Sequence, residues 1–168
     1  MTSTTATGAD GHHRSPVLAL PERLARGAIG GILAGLVFIV VTMWFADSLP
    51  MGQPGNPLRL ISSLVKGKGA LMDGTASVGT GWIVHLVLSA AFGMLFALVV
   101  PLLPTNGLIA LAGGVYGGLL FVVNFLVIGK FWIDQFQMTN KPFELAIHIV
   151  FGHLLAVAFY RSERPATT

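Results

Sequence analysis

Cysteine and charged residues are what this sequence has least of. The 168 residues include no cysteine, which excludes disulfides, thiolate metal sites and cysteine nucleophiles. Lys, Arg, Asp and Glu together account for only 10% of the chain, and none of them occurs between Asp73 and Lys130. That uncharged interval is too long for a soluble domain and long enough for two membrane-spanning helices joined by a turn. With 54% apolar residues, the chain is predicted to be an integral membrane protein.

Catalytic and nucleic-acid-binding patterns are also missing. No apolar segment carries paired carboxylates, no glycine-rich loop has the form that cradles phosphates, and no serine is placed beside a base. We therefore expect a protein that is not an enzyme. The net charge of +3 comes from a few Lys and Arg beside apolar segments. These suit lipid headgroups, and without a basic stripe with aromatics we expect no nucleic-acid partner.

Four apolar segments are each long enough to cross a bilayer. They cover about residues 27–46, 81–103, 107–129 and 143–160. At 1.5 Å per residue each reaches roughly 27 to 35 Å, against a hydrocarbon core of about 30 Å. The sequence thus predicts an all-α fold, an integral membrane bundle of four transmembrane helices. A cleaved signal peptide is excluded because Trp44 stands where a cleavage site after Ala46 needs a small residue.

The ends of the chain are predicted to be tails. Residues 1–20 form a polar N-terminal tail that cannot bury enough surface to become ordered, and residues 162–168 form a C-terminal tail. The transmembrane domain is then residues 21–161. His12 and His13 in the first tail could bind a transition metal, although adjacent histidines in a mobile tail more often bind nothing.

The two longer loops have membrane-surface character. In the first loop, Asn56 and Pro57 begin a short helix that we expect to lie in the membrane interface. Its predicted apolar face consists of Leu58, Ile61, Leu64 and Val65, with Arg59, Ser62 and Lys66 off that face. In the second loop, the aromatic residues Phe131, Trp132 and Phe136 suit the aromatic belt at the membrane surface.

An internal repeat emerges when the apolar segments are aligned. Segments one and three align at an offset of 83, which matches Gly30, Gly31 and Gly35 with Gly113, Gly114 and Gly118. Segments two and four align at an offset of 63, which matches His85 with His148. The pattern predicts two tandem helical hairpins, a parallel internal repeat. Chance similarity between glycine-rich apolar helices is the alternative.

Small residues recur at helical spacing in the predicted spans. The predicted helix-packing positions are Gly27, Gly31, Gly35, Gly113, Gly114, Gly117, Gly118 and Gly152. In lipid such residues allow helix backbones to approach closely. Their neighbours are either helices of the same bundle or, at an oligomer face, other membrane subunits or a second copy of the chain.

Three polar residues are predicted at one depth within the membrane. His85 and His148 lie near the starts of segments two and four, and Asn124 lies near the end of segment three, so all three fall roughly 6 to 8 Å inside one interface. Asp47 and Asp134 at that surface could join them. Three roles stay open: interhelical hydrogen bonding, axial ligation of haem b or a metal by the two histidines, and a proton or substrate contact.

Binding of a haem by His85 and His148 would need space beside both imidazoles. Gly93 and Gly152 would make space for a ring beside His85 and His148. His153, a further ligand candidate, lies about 7.5 Å deeper than His148 and roughly 140° around the helix, so the two cannot chelate one ion from a single helix face.

Orientation follows from the positive charges. They divide equally between the two sides, but Arg23 and Arg26 abut the first segment, which often dominates. We therefore predict cytoplasmic N- and C-termini. The layer formed by His85, Asn124 and His148, here called the polar layer, would then lie near the extracytoplasmic face. An antiparallel or dual-topology dimer stays open.

Several motifs resemble those of a known group of proteins. They are Gly81, Trp82 and His85 at the start of segment two and, in segment four, the runs 146–152 and 158–161. Together with the glycine-rich first segment, they resemble small bacterial inner-membrane proteins of four helices known only as a domain of unknown function. The likeness covers about residues 27–161 and implies a four-span fold in a bacterial plasma membrane, without an activity. The long first loop and His153 depart from the group.

Three classes of function are compatible with these features. The first is a non-enzymatic accessory or structural subunit of a larger membrane complex, suggested by the glycine faces and the lack of a soluble domain. The second is a haem- or metal-binding protein of electron transfer that uses His85 and His148. The third is a small transporter or channel, placed last because cation exporters of four helices usually carry an acidic residue within a span, whereas Asp47 and Glu144 lie at the edges.

Overall fold

The computed structural model describes residues 18–161, and within them the chain is helical. The helices are Leu20–Asp47 (α1), Asn56–Lys66 (α2), Val78–Val99 (α3), Asn106–Phe121 (α4) and Lys141–Val157 (α5). No strand occurs among these residues, so the all-α prediction is confirmed for them. Most of the predicted N-terminal tail, with His12 and His13, and the whole predicted C-terminal tail lie outside the described residues.

Three helices are long and apolar enough to cross a membrane. They are Leu20–Asp47 with 28 residues, Val78–Leu102 with 25 and Asn106–Phe131 with 26. The third consists of α4, a π-helix over Val122–Ile128 and a final turn. These lengths are compatible with a multi-pass membrane protein. The fourth apolar segment forms α5, which has 17 residues.

Polar side chains set where three of the helices begin. The side-chain oxygens of Ser77, Thr105 and Asn140 each accept the backbone N–H of the residue three positions further on. Such caps satisfy backbone donors that have no partner within a helix. The helices therefore begin one to three residues before the apolar segments predicted at 81, 107 and 143.

The helices pack in antiparallel pairs. α1 lies along α3, α4 lies along α5, and α1 also contacts α5. Near the turn between α3 and α4, the space between the helices is filled by apolar side chains. This core includes Phe96, Ala97, Ile109, Leu155 and Phe159. The end of the bundle beneath the two longer loops contains a cavity instead.

Close glycine contacts join the helices within each pair. A Cβ atom on Gly27 would overlap the Gly93 carbonyl across the α1–α3 contact, and one on Gly113 would overlap the Gly152 carbonyl across the α4–α5 contact. Gly31, Gly35 and Gly117 face neighbouring helices in the same way, and Gly114 faces the His153 imidazole. Among the predicted packing glycines, Gly118 has no neighbour within 4 Å in the described part of the chain.

α2 crosses the start of α3 with a face that is only partly the predicted one. Ser62 and Leu58 are fully buried, and the Ser62 hydroxyl accepts the Ser77 N–H at 3.1 Å, whereas Val65 is 64% exposed. The burial of Ser62, which was placed off the apolar face, was therefore not predicted. The reason is that α2 packs against α3, where the Leu58 backbone lies on Gly81, and small side chains permit that approach.

The aromatic residues of the second loop do not share one environment. Phe131 and Trp132 are exposed, as expected for residues of an aromatic belt. Phe136 is only 6% exposed and packs with Phe125 at a ring-centroid distance of 5.4 Å. The belt prediction is therefore wrong for Phe136, which covers the end of the bundle beneath the loops.

Candidate functional site

A cavity of about 590 Å³ extends from the two longer loops into the bundle. Exposed Met72 and Met138 lie at its rim, and Phe38 and Phe151 line its inner part. Its walls are mostly apolar, and many of them are aromatic. The polar residues His85, Asn124 and His148 line its inner part as well.

His148 is held by hydrogen bonds at both of its ring nitrogens. Nδ1 lies 2.7 Å from the Glu144 carbonyl oxygen, and Nε2 lies 3.3 Å from Nδ2 of Asn124. Because a carbonyl can only accept, Nδ1 carries the proton, and Nε2 accepts from the Asn124 amide. The structure thus brings together two of the three polar residues predicted at one depth.

Phe38 contacts both His85 and His148. The Phe38 ring centroid is 5.6 Å from that of His85 and 4.8 Å from that of His148. Nε2 of His85 donates to the Gly35 carbonyl at 2.9 Å, and its Nδ1 makes no hydrogen bond within residues 18–161. The polar layer therefore contains two separately hydrogen-bonded groups of side chains that share Phe38 as a neighbour.

A π-helix directs the side chain of Asn124 towards His148. The wider turn over Val122–Ile128 begins directly after α4 and changes the direction of every later side chain. Gln137 donates from Nε2 to the Phe125 carbonyl and so gives that carbonyl, inside the wider turn, a hydrogen-bond partner. No pattern in the apolar segment signals this turn, so the sequence predicts the depth of Asn124 but not its direction.

Gly35 allows His85 to reach the α1 backbone. A Cβ atom at this position would overlap Oγ of Ser89 and lie 3.4 Å from Nε2 of His85. A side chain here would disturb the hydrogen bond between His85 and the Gly35 carbonyl. Gly117 on α4 instead lies against the backbone of His148.

Glu144 is a cavity residue that the sequence analysis placed only at the membrane edge. Its side chain is 8% exposed and lines the cavity, and it makes no hydrogen bond or ion pair with any described residue. Asp47 and Asp134, which were expected to join the polar layer, are both exposed and do not line the cavity. The available signal was the spacing of Glu144 and His148, four residues apart on one helix face.

Lys141 lies close to Glu144 but its ammonium points to the second loop. Nζ donates to the Phe136 carbonyl at 2.6 Å and lies 5.5 Å from the Phe125 ring centroid. Burial lowers the pKa of the Lys141 ammonium below its ordinary value, and the nearby Glu144 carboxylate opposes this shift.

The histidine geometry does not fit axial ligation of haem. Both ring nitrogens of His148 and Nε2 of His85 are engaged by protein groups, and the Phe38 ring packs against both imidazoles. Gly93 and Gly152, expected to leave room for a ring, are packed against Gly27 and Gly113. Across residues 18–161, no three His, Asp or Glu side chains are grouped to hold a metal ion.

His153 is separate from the polar layer. It is exposed, and its Nδ1 donates to the Ile149 carbonyl at 2.9 Å. Its imidazole lies against Gly114, outside the cavity. Of the four predicted ligand candidates, the cavity therefore contains His85, Asn124 and His148.

Comparison with known proteins identifies no relative of this chain. The chain matches no protein-family model, no curated protein and no solved structure.

Proposed function

We propose that this protein is a non-enzymatic, multi-pass membrane protein that binds a small molecule with an apolar skeleton in the cavity beneath its two longer loops. The observation that carries this proposal is the cavity, whose volume of about 590 Å³ lies in the range of ligand pockets. Apolar walls with a few polar groups at the inner end are the usual composition of such pockets. A transporter would use the same cavity as one half of its path.

The position of α5 supports a fourth membrane crossing. Phe143 at its start stacks on Phe45 at the end of α1, with ring centroids 3.8 Å apart. Just beyond its end, the Arg161 N–H donates to Asn106 Oδ1 at 2.9 Å, beside the turn between α3 and α4. The segment therefore extends from one end of the bundle to the other, and its 17 helical residues alone rise about 26 Å.

The two glycine crossings support a tandem repeat. Gly27 on Gly93 and Gly113 on Gly152 are equivalent contacts, because each pair opposes glycine backbones across antiparallel helices. The contacts relate Gly27 to Gly113 at an offset of 86 residues and Gly93 to Gly152 at an offset of 59 residues. These offsets differ by about one helical turn from the offsets of 83 and 63 in the sequence alignment. In this register His85 corresponds to Glu144 instead of His148.

The cellular setting is also proposed. The resemblance to small bacterial four-helix proteins favours a bacterial inner membrane. Arg23 and Arg26 at the start of α1 favour cytoplasmic termini. The two loops and the mouth of the cavity would then face the extracytoplasmic side.

An accessory subunit of a larger complex stays a prediction with less support. It was based on glycine faces, and most of these glycines contact helices of the same chain. Co-purification of a stoichiometric partner under mild detergent would support it, and a monodisperse protein without partners would count against it.

The binding proposal is tested with two variants on neighbouring residues of α3. Leu88 lines the cavity, whereas Val87 is exposed on the outside of the bundle. Equilibrium dialysis would measure 1-naphthalenemethanol and 1-naphthylmethylammonium, which share a ring system and differ in polar group. The protein is held in phosphatidylcholine nanodiscs, with empty nanodiscs as reference.

We expect saturable binding of at least one probe to the wild type and to Val87→Trp. Leu88→Trp should weaken it about tenfold or more because the indole occupies the cavity. Absence of saturable binding above the empty nanodiscs, or unchanged binding by Leu88→Trp, would refute the proposal.

A further inference from the structure

Two polar atoms without a hydrogen bond at the inner end of the cavity, His85 Nδ1 and Asn124 Oδ1, are hydrogen-bond acceptors, and the Ser89 hydroxyl beside them can donate or accept. Because Nε2 of His85 donates to the Gly35 carbonyl, its Nδ1 has a lone pair and no proton. The Asn124 amide nitrogen is directed at His148, which leaves its Oδ1 without a hydrogen bond among the described residues. The Thr42 hydroxyl, which could donate, is already bonded to the Phe38 carbonyl at 2.8 Å.

The charged side chains that line the cavity are not paired with each other. Glu144 is the acidic side chain among the cavity-lining residues of the described chain, and Arg59 is the basic one. The Arg59 guanidinium is directed at Gln53, at 3.1 Å, and at Asn56, at 3.4 Å. With the Lys141 ammonium bonded to the Phe136 carbonyl, neither cation forms an ion pair with Glu144. A buried carboxylate in this situation is costly unless another cation approaches it.

The walls of the cavity favour the same kind of ligand. Phenylalanine rings surround it, namely Phe38, Phe45, Phe92, Phe125, Phe136 and Phe151. The face of an aromatic ring attracts cations, and the attraction grows when the cation is removed from water. Aromatic walls also accommodate an apolar skeleton. The basic side chain among the described cavity-lining residues, Arg59, is already bonded to Gln53 and Asn56 and so is not directed at an anion in the cavity.

We infer that the cavity binds a lipophilic ammonium, a protonated amine carried on an apolar skeleton, with Glu144 as counter-ion and with His85 Nδ1 and Asn124 Oδ1 as acceptors for its N–H groups. This inference rests on the proposed function, since it names the ligand class of the same cavity. An ammonium has hydrogen-bond donors and no acceptor. It can therefore bond to the acceptors in this cavity that have no donor of their own.

The test compares probes of one shape and three charges. In wild-type protein in phosphatidylcholine nanodiscs, we expect 1-naphthylmethylammonium to bind at least tenfold more tightly than 1-naphthalenemethanol, and 1-naphthylacetate to bind least. This order is measured on the wild type, so it does not depend on whether a variant folds. If the alcohol or the carboxylate bound as tightly as the ammonium, the ligand class would be wrong while the cavity proposal stood.

A charge-neutralising variant then assigns the counter-ion. Glu144→Gln should lower the affinity for the ammonium about tenfold and leave the affinity for the alcohol unchanged. The matched control is Asp134→Asn, which removes an exposed carboxylate outside the cavity and should change neither affinity. Circular dichroism and a monodisperse elution profile establish that both variants fold. Equal ammonium binding by Glu144→Gln and the wild type would overturn the role of Glu144.

Failure of the inference and failure of the proposed function give different results. If all three probes lacked saturable binding, the cavity would not be a binding site and both would fall. If they bound without preference for the ammonium, only the ligand class would fall.

Discussion

At the scale of single residues, the glycines show how the same residue type acts in opposite ways within one bundle. Glycine in a helix costs about 0.5 to 1 kcal/mol relative to alanine because it loses more backbone freedom on folding. Gly152 offsets that cost because the backbone of α5 can lie directly on Gly113 of α4. Gly118, one turn after Gly114 on α4, has open space beside it.

Alanine at these two glycines should therefore change stability with opposite signs. Gly152→Ala places a methyl group into the backbone of α4 and should lower the free energy of unfolding by about 1 to 3 kcal/mol. Gly118→Ala meets nothing within 4 Å and should raise it by about 0.5 to 1 kcal/mol. Denaturant unfolding in micelles, followed by circular dichroism, measures both. A Gly152→Ala variant with the same free energy of unfolding as the wild type would contradict the close contact between α4 and α5.

At the scale of elements, α2 is attached to the bundle mainly at the start of α3. The Leu58 backbone lies on Gly81 at the start of α3, and the buried Ser62 hydroxyl accepts the Ser77 N–H. Because α2 also supplies Leu60 and Leu64 to the cavity wall, its position sets the shape of the mouth. The contact between α2 and α3 thus positions part of the cavity wall.

A methyl group at Gly81 should loosen α2. Gly81→Ala would overlap the Leu58 backbone, so α2 must move away from α3, and we expect tryptic cleavage after Lys66 to become several-fold faster. The control is Gly79→Ala, two residues earlier, where no atom lies within 4 Å. Equal cleavage rates for both variants would show that the contact with Gly81 does not hold α2 in place.

At the scale of the whole molecule, the two ends of the bundle differ in composition. The end at the α3–α4 turn is closed by apolar side chains such as Phe96 and Ile109. The end beneath the longer loops has the cavity and the polar layer. If α5 completes a fourth crossing, these two ends face opposite sides of the membrane.

The absence of cysteine allows this arrangement to be tested by labelling single cysteines. Substitutions Met51→Cys and Met138→Cys report on the two longer loops, and Thr105→Cys and Tyr160→Cys report on the opposite end. In intact cells a membrane-impermeant maleimide should label the first two and not the last two. Labelling of positions 138 and 160 from the same side would exclude a crossing by α5.

The positions of polar and apolar residues along the sequence were enough to predict several properties of this protein. Apolar length and the lack of charge predicted an all-α membrane protein, since burying a backbone in lipid requires helices of bilayer length. Distance from the segment ends likewise predicted that His85, Asn124 and His148 lie at similar depth, because each residue adds a known rise. These properties depend on position along the chain and not on neighbours.

Only the tertiary structure decided which way the side chains point. The direction of a side chain is set by packing against other segments, so Ser62 and Phe136 are buried against expectation. The π-helix turns Asn124 towards His148, and α5 packing carries Glu144 into the cavity while Asp134 stays outside. Depth follows from the count of residues, whereas direction follows from contacts between segments far apart in the chain.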